Sequence, residues 1–325
     1  MFCSRSAARH GALLVHRNDW TALIVSGHDR FAWPQRMLSC HLGPVLQGQS
    51  VYGLVLSPHG GIVADVVAMP LADSIVLAVS SAIAKTLLAH LDHHLVMEDA
   101  QIEALEAPHA FVVAIGPDAT QVSLAAMATE HVMVSCAGRL PGMSAAVLLC
   151  ACDHLSGVVE DLVNRNARWC AATLDEFDSL RVELGITIIG TDFGPENNPV
   201  EVGLDQHAVS FDKGCYVGQD VVAKLRARGQ PIRALARLVF EPGAVPLSRA
   251  AVVANGTDVG VVTSVGMSQQ EHPLAFAIVR YSALREPDAL SVEGRGVDVA
   301  GPWGMLERIP AIPPFPMVSP SASSR

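Results

Sequence analysis

Apolar and polar positions follow two different patterns along the chain. Between residues 12 and 183, short runs of aliphatic and β-branched residues predict strands at 12–16, 21–25, 50–57, 62–69, 75–79, 110–115, 132–135 and 145–150. Helices are predicted at 35–38, 80–91, 116–129, 153–164 and 175–183, and the helix at 80–91 has its apolar residues three or four positions apart. From residue 234 onwards only short strands are predicted, at 234–240, 251–254, 259–265 and 275–279, which is typical of a small β-barrel or sandwich.

Turn sequences, a linker and a tail rich in Pro and Ser indicate how the chain is divided into domains. The sequences Pro58-His59-Gly60-Gly61 and Asn255-Gly256 are typical of hairpin turns. The change of character at 229–231 predicts a linker there, and a tail rich in Pro and Ser is unable to bury a core. We therefore expect a first mixed α/β part at 1–105, a second at 106–230, a C-terminal β-barrel at 231–309 and a disordered tail at 310–325.

The composition narrows the class of protein. Of the 325 residues, 50% are hydrophobic and 17% are charged, so most of the chain is too apolar to be intrinsically disordered. The longest apolar run, 145–152, is far shorter than the roughly 20 residues that span a bilayer, and the N-terminus shows no secretory signal. The net charge of −10 argues against a nucleic-acid coat protein. We expect neither a membrane nor a nucleic acid as a partner.

The ligand-forming residue types give few further signals. Seven cysteines are scattered without a CxxC pair, which argues against a disulfide scaffold and a zinc ribbon and fits reduced thiols in the cytoplasm. His90 and His94 share a spacing of four, but no third ligand follows nearby, so we expect no metal site. The chain has neither a GxGxxG nor a GxxxxGK[ST] loop, which argues against the familiar nucleotide-phosphate folds.

One basic segment interrupts an otherwise acidic chain. Residues 213–237 carry six basic side chains against Asp220 alone, whereas residues 153–205 carry eleven acidic and three basic ones. A basic segment in an acidic protein is a candidate anion site. The alternative is a solvated helix face.

A glycine-bearing loop at 213–219 leads into a short predicted helix within this segment. Val221, Val222 and Leu225 would form the apolar face of that helix. Cys215 would lie just before the helix N-terminus with Lys213 two residues away, and both features favour the thiolate. The alternative is a small, buried and inert cysteine in a tight turn.

Five ordered motifs resemble one family. Lys213–Asp220, KGCYVGQD, closely resembles the K-G-C-[FY]-x-G-Q-[ED] signature of the YgfZ-type folate-binding proteins, which are relatives of the glycine-cleavage T-protein. The other four motifs resemble the family's LRxExG, PxExGL, SGxDA and GQ…Y…NPxGxI…D elements, at 180–185, 199–204, 25–30 and 48–65. A chance match of five motifs in order is far less probable than a match of one.

This resemblance implies an α+β, clover-leaf fold, in which two mixed α/β parts and a C-terminal β-barrel surround a folate channel. It implies a tetrahydrofolate-binding accessory protein for iron–sulfur cluster assembly or repair, with iron–sulfur enzymes or assembly proteins as partners and tetrahydrofolate or a derivative as cofactor. Cys215 would be its reactive thiol, assisted by Lys213. Glu201 would accept hydrogen bonds from the pterin, because a carboxylate matches two neighbouring N–H donors. The remaining ligand-binding positions would be Arg181, Tyr216, Gln219 and Lys224.

A second activity stays open on the same resemblance. T-proteins are folate-dependent aminomethyltransferases, and the alternative function is one-carbon transfer or demethylation of that type. Ala64 stands where the first aspartate of the T-protein GGIxDD element is associated with aminomethyl transfer, and T-proteins lack the cysteine found at Cys215. Both departures favour the accessory protein. A third alternative is a folate-binding module without activity.

Overall fold

Three β-sheets form the framework of the protein. The computed structural model describes residues 2–285 and 290–302. The predicted tail at 310–325 and the end of the predicted barrel at 303–309 lie outside the described residues. The helices are α1 (Phe2–His10), α2 (Ala32–Met37), α3 (Ser81–Asp92), α4 (Ala119–Met127), α5 (Leu155–Asn164), α6 (Leu174–Leu184) and α7 (Gln219–Arg228).

The first sheet is antiparallel, with the strand order β3-β4-β5-β2-β6. Its strands are β2 (Trp20–Ser26), β3 (Val51–Leu56), β4 (Ile62–Pro70), β5 (Ile75–Ser80) and β6 (Gln101–Ala104). One face packs against α2 and α3 through Trp33, Leu87 and Leu91. Because side chains alternate between the two faces of a strand, the other face, with Tyr52 and Leu54, points to the centre of the molecule.

The second sheet has the strand order β10-β1-β7-β9-β8. Its strands are β1 (Ala12–His16), β7 (His109–Ile115), β8 (Val132–Leu140), β9 (Met143–Ala151) and β10 (Trp169–Ala172). Only the β1–β10 pair is parallel among the pairs of this sheet, and α4 and α5 cover one face. The predicted boundary at 105 remains a prediction, but β1 pairs within the second sheet, so residues 1–105 contribute to both sheets.

The third sheet has seven strands in the order β16-β15-β12-β13-β14-β11-β17. They are β11 (Arg233–Val239), β12 (Ala251–Ala254), β13 (Thr257–Met267), β14 (Pro273–Arg280), β15 (Leu290–Val292), β16 (Arg295–Gly296) and β17 (Asp298–Pro302). Asn255 and Gly256 join β12 to β13 with φ angles of 49° and 74°, the left-handed pair that a two-residue hairpin needs. This confirms the predicted turn. The sheet curves into a nearly closed, barrel-like form.

The core at the centre joins the three sheets. It contains Tyr52 of the first sheet, Phe111 of the second, Phe177 of α6 and Phe276 of the third. The segment between α6 and α7, 185–218, has only one 3-10 turn (Leu204–Gln206) among its described elements, yet many of its side chains are buried in this core. The motifs of that segment are therefore held at the junction of the sheets. Two mixed α/β parts and a C-terminal barrel-like sheet form the predicted α+β architecture.

Helix α6 shows how local sequence fixes a motif in this framework. Thr173 Oγ1 accepts a hydrogen bond from Glu176 N, while Glu176 accepts one from Thr173 N, which forms a capping box. The helix ends at Gly185, whose φ of 82° suits glycine. The predicted helix at 175–183 is confirmed within one residue at each end. In the described part of the chain, no helix is long and apolar enough to cross a membrane.

Candidate functional site

The hairpin turn between β3 and β4 brings two of the motifs together. Ser57 N donates to Gly61 O at 2.9 Å and closes the turn. On one side lies the segment 194–205, which we call the Glu201 loop: Ile62 N donates to Asn197 O at 3.0 Å. On the other side lies the segment 213–218, the Cys215 loop, whose Gly218 approaches Ser57 so closely that a Cβ atom would come within 2.6 Å of the Ser57 carbonyl oxygen. The hairpin turn therefore contacts both the Glu201 loop and the Cys215 loop.

Glu201 is buried at the point where the Glu201 loop meets the third sheet. Its backbone carbonyl accepts a hydrogen bond from Leu235 N on β11 at 2.7 Å, and the residue is 6% exposed. The carboxylate is held loosely: Oε2 accepts from Asn198 N at 3.4 Å and from Asn197 Nδ2 at 3.5 Å, and Oε1 lies 3.9 Å from Arg233 Nε. Contacts of this length leave a carboxylate with capacity for shorter hydrogen bonds from a ligand.

Lys213 fastens the Cys215 loop to α2. Its ammonium group is buried and donates to the carbonyl of Gln35 at 2.6 Å and to the carbonyl of Leu38. These carbonyls lie at the C-terminal end of α2, where a cation is favourable. The ammonium also lies 4.8 Å from the centre of the Tyr216 ring. Burial lowers the pKa of Lys213 to about 8. The predicted catalytic role of Lys213 remains a prediction, and its contacts are those of an anchor.

Cys215 is exposed and lines a cleft of about 370 Å³. The other lining residues are Trp33, Arg36, Met37, His94, Glu98, Tyr216 and Val217. An ion pair of 2.6 Å between Arg36 and Glu98 closes part of the rim. Cys215 is therefore exposed and not buried as in the alternative interpretation, and its role as a reactive thiol remains a prediction. The predicted helix follows as α7, four residues later.

Tyr216 lines this cleft and Gln219 follows three residues later, and the two side chains differ in burial. Tyr216 is 6% exposed, and its buried hydroxyl has no hydrogen-bond partner among the described residues. Burial raises the pKa of Tyr216 to about 12, so the group is a neutral hydroxyl in neutral solution. Gln219 is half-buried and is the first residue of α7. The roles in ligand binding assigned to both residues remain predictions.

Arg181 is buried in an internal network. Its Nη1 donates to Asp192 Oδ2 at 2.6 Å, its Nη2 to Ser264 Oγ at 2.5 Å and its Nε to Asp178 Oδ1 at 2.5 Å. Asp192 has no exposed side-chain surface and also accepts from Thr263 Oγ1 at 2.8 Å. The network ties α6 to β13 and uses every nitrogen of the guanidinium. Ligand binding by Arg181 remains a prediction, and these contacts favour a structural role.

The basic segment does not form one surface. Lys224 and Arg228 of α7 are exposed, whereas Arg226 lies 4.4 Å above the Phe211 ring and 3.8 Å from Asp205. Arg237 is engaged by the carbonyl of Glu183 on α6 at 3.0 Å. The exposed end of α7 is the part of the segment that is available to an anion.

The structure adds a half-buried acid, Asp65, that was not among the predicted site residues. Asp65 lies on β4 opposite Leu54, so its side chain shares the central face with Tyr52. Tyr52 donates to Asp65 Oδ2 at 2.9 Å. Burial raises the pKa of Asp65, against the opposing effects of the Tyr52 hydrogen bond and of Arg17. The signal in the sequence was a single acid in the apolar run of a predicted strand.

Ala64 stands where the T-protein motif has its first aspartate, and the structure shows which way this position faces. Ala64 is fully buried and packs in the cluster that contains α2 and α3. Because neighbouring residues of a strand face opposite ways, Ala64 points away from the centre while Asp65 points towards it. The central face of β4 therefore carries the carboxyl group of Asp65, and position 64 does not contribute to that face.

Comparisons with known proteins agree with this architecture. Residues 4–137 match the family model of the GCVT N-terminal domain. The chain is 27% identical over 320 residues to the aminomethyltransferase of Cutibacterium acnes, which covers 89% of this chain and 85% of that protein. It is 26% identical over 290 residues to the aminomethyltransferase of a Picosynechococcus species, covering 84% of this chain and 79% of the relative.

The fold is that of the aminomethyltransferase T-proteins. The crystal structure of the glycine cleavage system aminomethyltransferase T from Bartonella henselae superposes with a TM-score of 0.72 at 22% identity, covering 91% of this chain and 86% of that one. The predicted fold class is therefore confirmed. Taken together, the matches show that this chain is similar to glycine-cleavage T-proteins in sequence and shares their fold.

Proposed function

We propose that this protein binds a reduced folate, tetrahydrofolate or a derivative, at the junction of the hairpin turn, the Glu201 loop and β11. The buried and loosely held carboxylate of Glu201 is the observation that carries the proposal. An ionised carboxylate in a buried position needs hydrogen-bond donors, and a pterin offers the 2-amino group and ring N3–H side by side. A paired, charge-assisted contact of this kind is among the stronger hydrogen bonds in proteins.

We further propose that the folate-bound protein serves iron–sulfur cluster assembly or repair and that Cys215 is its working thiol. The exposure of Cys215 in a cleft supports this role, because a thiol has to be accessible to react or to contact iron. The KGCYVGQD loop resembles the signature of the YgfZ-type proteins, which adds support from the sequence. The chain has no cluster-binding cysteine spacing, so the contact would be transient.

Isothermal titration with tetrahydrofolate tests the folate site. We expect Glu201→Gln to weaken binding roughly 10- to 150-fold, since loss of a charged partner costs about 1.5–3 kcal/mol. Glu196→Gln is the matched control, because Glu196 lies in the same loop and is exposed; it should bind like the wild type. Equal affinities for all three proteins would remove Glu201 from the site, and absence of binding to the wild type would overturn the proposed function.

Complementation of a deletion strain tests the thiol. We expect Cys215→Ser to bind tetrahydrofolate normally but to fail in restoring the activities of iron–sulfur enzymes. Cys152→Ser, which changes another exposed cysteine, should restore them. Full rescue by Cys215→Ser would show that the motif is structural and the thiol has no role.

One-carbon transfer of the T-protein type is the second candidate function, and the Tyr52–Asp65 pair favours it. Burial raises the pKa of the Asp65 carboxyl group, so this group keeps its proton to a higher pH than a free carboxyl group does, which favours a role as general acid. The direct assay is formation of methylene-tetrahydrofolate from tetrahydrofolate and an aminomethyl donor by the purified protein. Product formed by the wild type and lost in Asp65→Asn would favour the transferase over the accessory protein.

A further inference from the structure

Two cysteines that are distant in the sequence meet at the edge of the second sheet. Cys3 lies on α1, and Cys170 lies on β10, where it pairs with Leu13 of β1. Their Sγ atoms are 2.7 Å apart although 167 residues separate the two positions. A disulfide bond is about 2.05 Å long, so the side chains need only a small movement to reach bonding distance.

We propose that Cys3 and Cys170 are a redox modification site, which forms a reversible disulfide that fastens α1 to the second sheet. The oxidant is a low-molecular-weight disulfide such as oxidised glutathione. Cys3 is exposed and Cys170 is half-buried, so the oxidant reaches Cys3 first. The exposed Cys152 and Cys215 have no second cysteine in sulfur–sulfur contact among the described residues.

The exchange proceeds in two balanced steps. The Cys3 thiolate attacks one sulfur of the small disulfide, which forms a mixed disulfide and releases one small thiolate. The Cys170 thiolate then attacks Cys3 Sγ and releases the second small thiolate. The protein loses two electrons and two protons, and the small disulfide gains both as two thiols. An excess of small thiol reverses the same steps.

Cys170 determines the pace of the second step. Burial, and then its contact with Cys3, raise the pKa of the Cys170 thiol to about 11. A thiol of this kind is a poor nucleophile towards a distant partner, because the thiolate is the reactive form. The contact with Cys3 compensates, since a reactant held in place has a high effective concentration.

Helix α1 is the element that the disulfide would secure. Arg5 donates to Glu183 at 2.7 Å and to the carbonyl of Met267 on β13 at 2.8 Å, and Arg9 donates to Glu183 at 2.6 Å. The helix therefore bridges α6 and the third sheet through polar contacts. The chain already continues from α1 into β1 of the second sheet, and a covalent bond to β10 would add a second link to that sheet, at the other end of the helix.

Peptide mapping of the full-length protein tests the site. The reduced protein is incubated with oxidised glutathione, unfolded, alkylated and digested. We expect a Cys3–Cys170 cross-linked peptide and loss of alkylation at both of these cysteines, with both changes reversed by dithiothreitol. Cys152→Ser should still give the cross-link, and Cys3→Ser and Cys170→Ser should not. Glutathione retained on Cys3 without the cross-link, or pairing of Cys3 with another cysteine, would overturn the site.

Thermal unfolding tests separately whether the disulfide stabilises the protein. A disulfide that encloses a long loop stabilises mainly by restricting the unfolded chain. We expect oxidation to raise the Tm of the wild type by about 5 °C and to leave the Tm of Cys170→Ser unchanged. A cross-link that forms without a rise in Tm would show that the bond does not stabilise the folded protein, and this part of the proposal would be wrong.

Discussion

The hydroxyl of Tyr52 on β3 donates a 2.9 Å hydrogen bond to the carboxyl group of Asp65 on β4, on the face of the first sheet that points to the centre of the molecule. The pair sits beside the apolar core that joins the three sheets. Ala64, the residue before Asp65, points to the helices on the other face of the sheet. Asp65 thus supplies a carboxyl group to the central face, and the alanine at position 64 does not change this.

The first prediction concerns the pH dependence of stability. Because burial raises the pKa of Asp65 in the folded state, the folded protein holds this proton more tightly than the unfolded chain does. The contribution to stability is present below the unfolded pKa of about 3.9 and is lost as the pH rises through the raised value. Asp65→Asn should lack this loss, so its free energy of unfolding should fall less between pH 4 and 7.

Urea unfolding curves at several pH values measure this difference. Asp73→Asn, in the exposed turn between β4 and β5, is the control and should follow the wild type. If Asp65→Asn and the wild type show the same slope of unfolding free energy against pH, the carboxyl group of Asp65 is not perturbed by burial.

Elements with a pattern of their own were predictable from the sequence, and those held by distant partners were not. The Asn255-Gly256 turn carries its own left-handed conformation, and the buried strands carry their own apolar runs. Helix α1 lacks such a signal, because it is stabilised through Arg5 by Glu183, 178 residues further on. Strand β6 is an exposed edge strand with little apolar character, and β10 is short and depends on β1 for pairing.

The same limit applies to the candidate site. The Cys215 loop was recognisable because its residues are contiguous. The contacts that decide the role of each side chain are not contiguous: Lys213 binds the Gln35 carbonyl, 178 residues away, and Arg181 binds Ser264, 83 residues away. Because Lys213 is near Cys215 in the sequence, an activating role was predicted. In the structure the ammonium group donates its hydrogen bonds to carbonyls at the end of α2.

The second prediction follows from this use of Lys213. Lys213→Met should lower the free energy of unfolding at pH 7 by about 1–3 kcal/mol, because two carbonyls of α2 lose their donor. Burial lowers the pKa of Lys213 from 10.5 to about 8 in the folded state. The unfolded chain thus binds the proton more tightly, and the wild type gains stability as the pH rises through this window.

Unfolding free energies of both proteins between pH 7.5 and 10.5 measure the effect. The advantage of the wild type over Lys213→Met should grow with pH by about 3 kcal/mol across this range. Lys85→Met, at an exposed position of α3, should show no such growth. A constant difference between wild type and Lys213→Met would contradict a depressed pKa for the buried ammonium group.

The third prediction separates structure from ligand binding at Arg181. Arg181→Met leaves the fully buried carboxylate of Asp192 without its cation, and loss of one partner of a buried pair costs about 3–5 kcal/mol of stability. Replacing both, as Arg181→Met with Asp192→Leu, should recover part of that loss because no buried charge remains unpaired, and Asp178 is exposed to solvent. Chemical unfolding measures both variants. The double variant, once folded, should bind tetrahydrofolate as the wild type does; a large loss of affinity would place Arg181 in the ligand site.

The last prediction rests on the proposed folate site and concerns the exposed end of α7. Lys224 and Arg228 are free in solvent, whereas Arg226 is engaged by Phe211 and Asp205. Since the glutamate tail of a folate is anionic, we expect Lys224 and Arg228 to favour polyglutamylated over monoglutamyl tetrahydrofolate by roughly two- to thirty-fold, the range that two exposed charge pairs of about 0.2–1 kcal/mol each provide. The preference should decline as salt screens the charges.

Replacing both residues by alanine should abolish the preference while leaving monoglutamate affinity unchanged, and Lys85→Ala should preserve it. Titrations of both ligands at low and high salt measure these affinities. If the wild type binds both tail lengths equally at low salt, these side chains form only a solvated helix face.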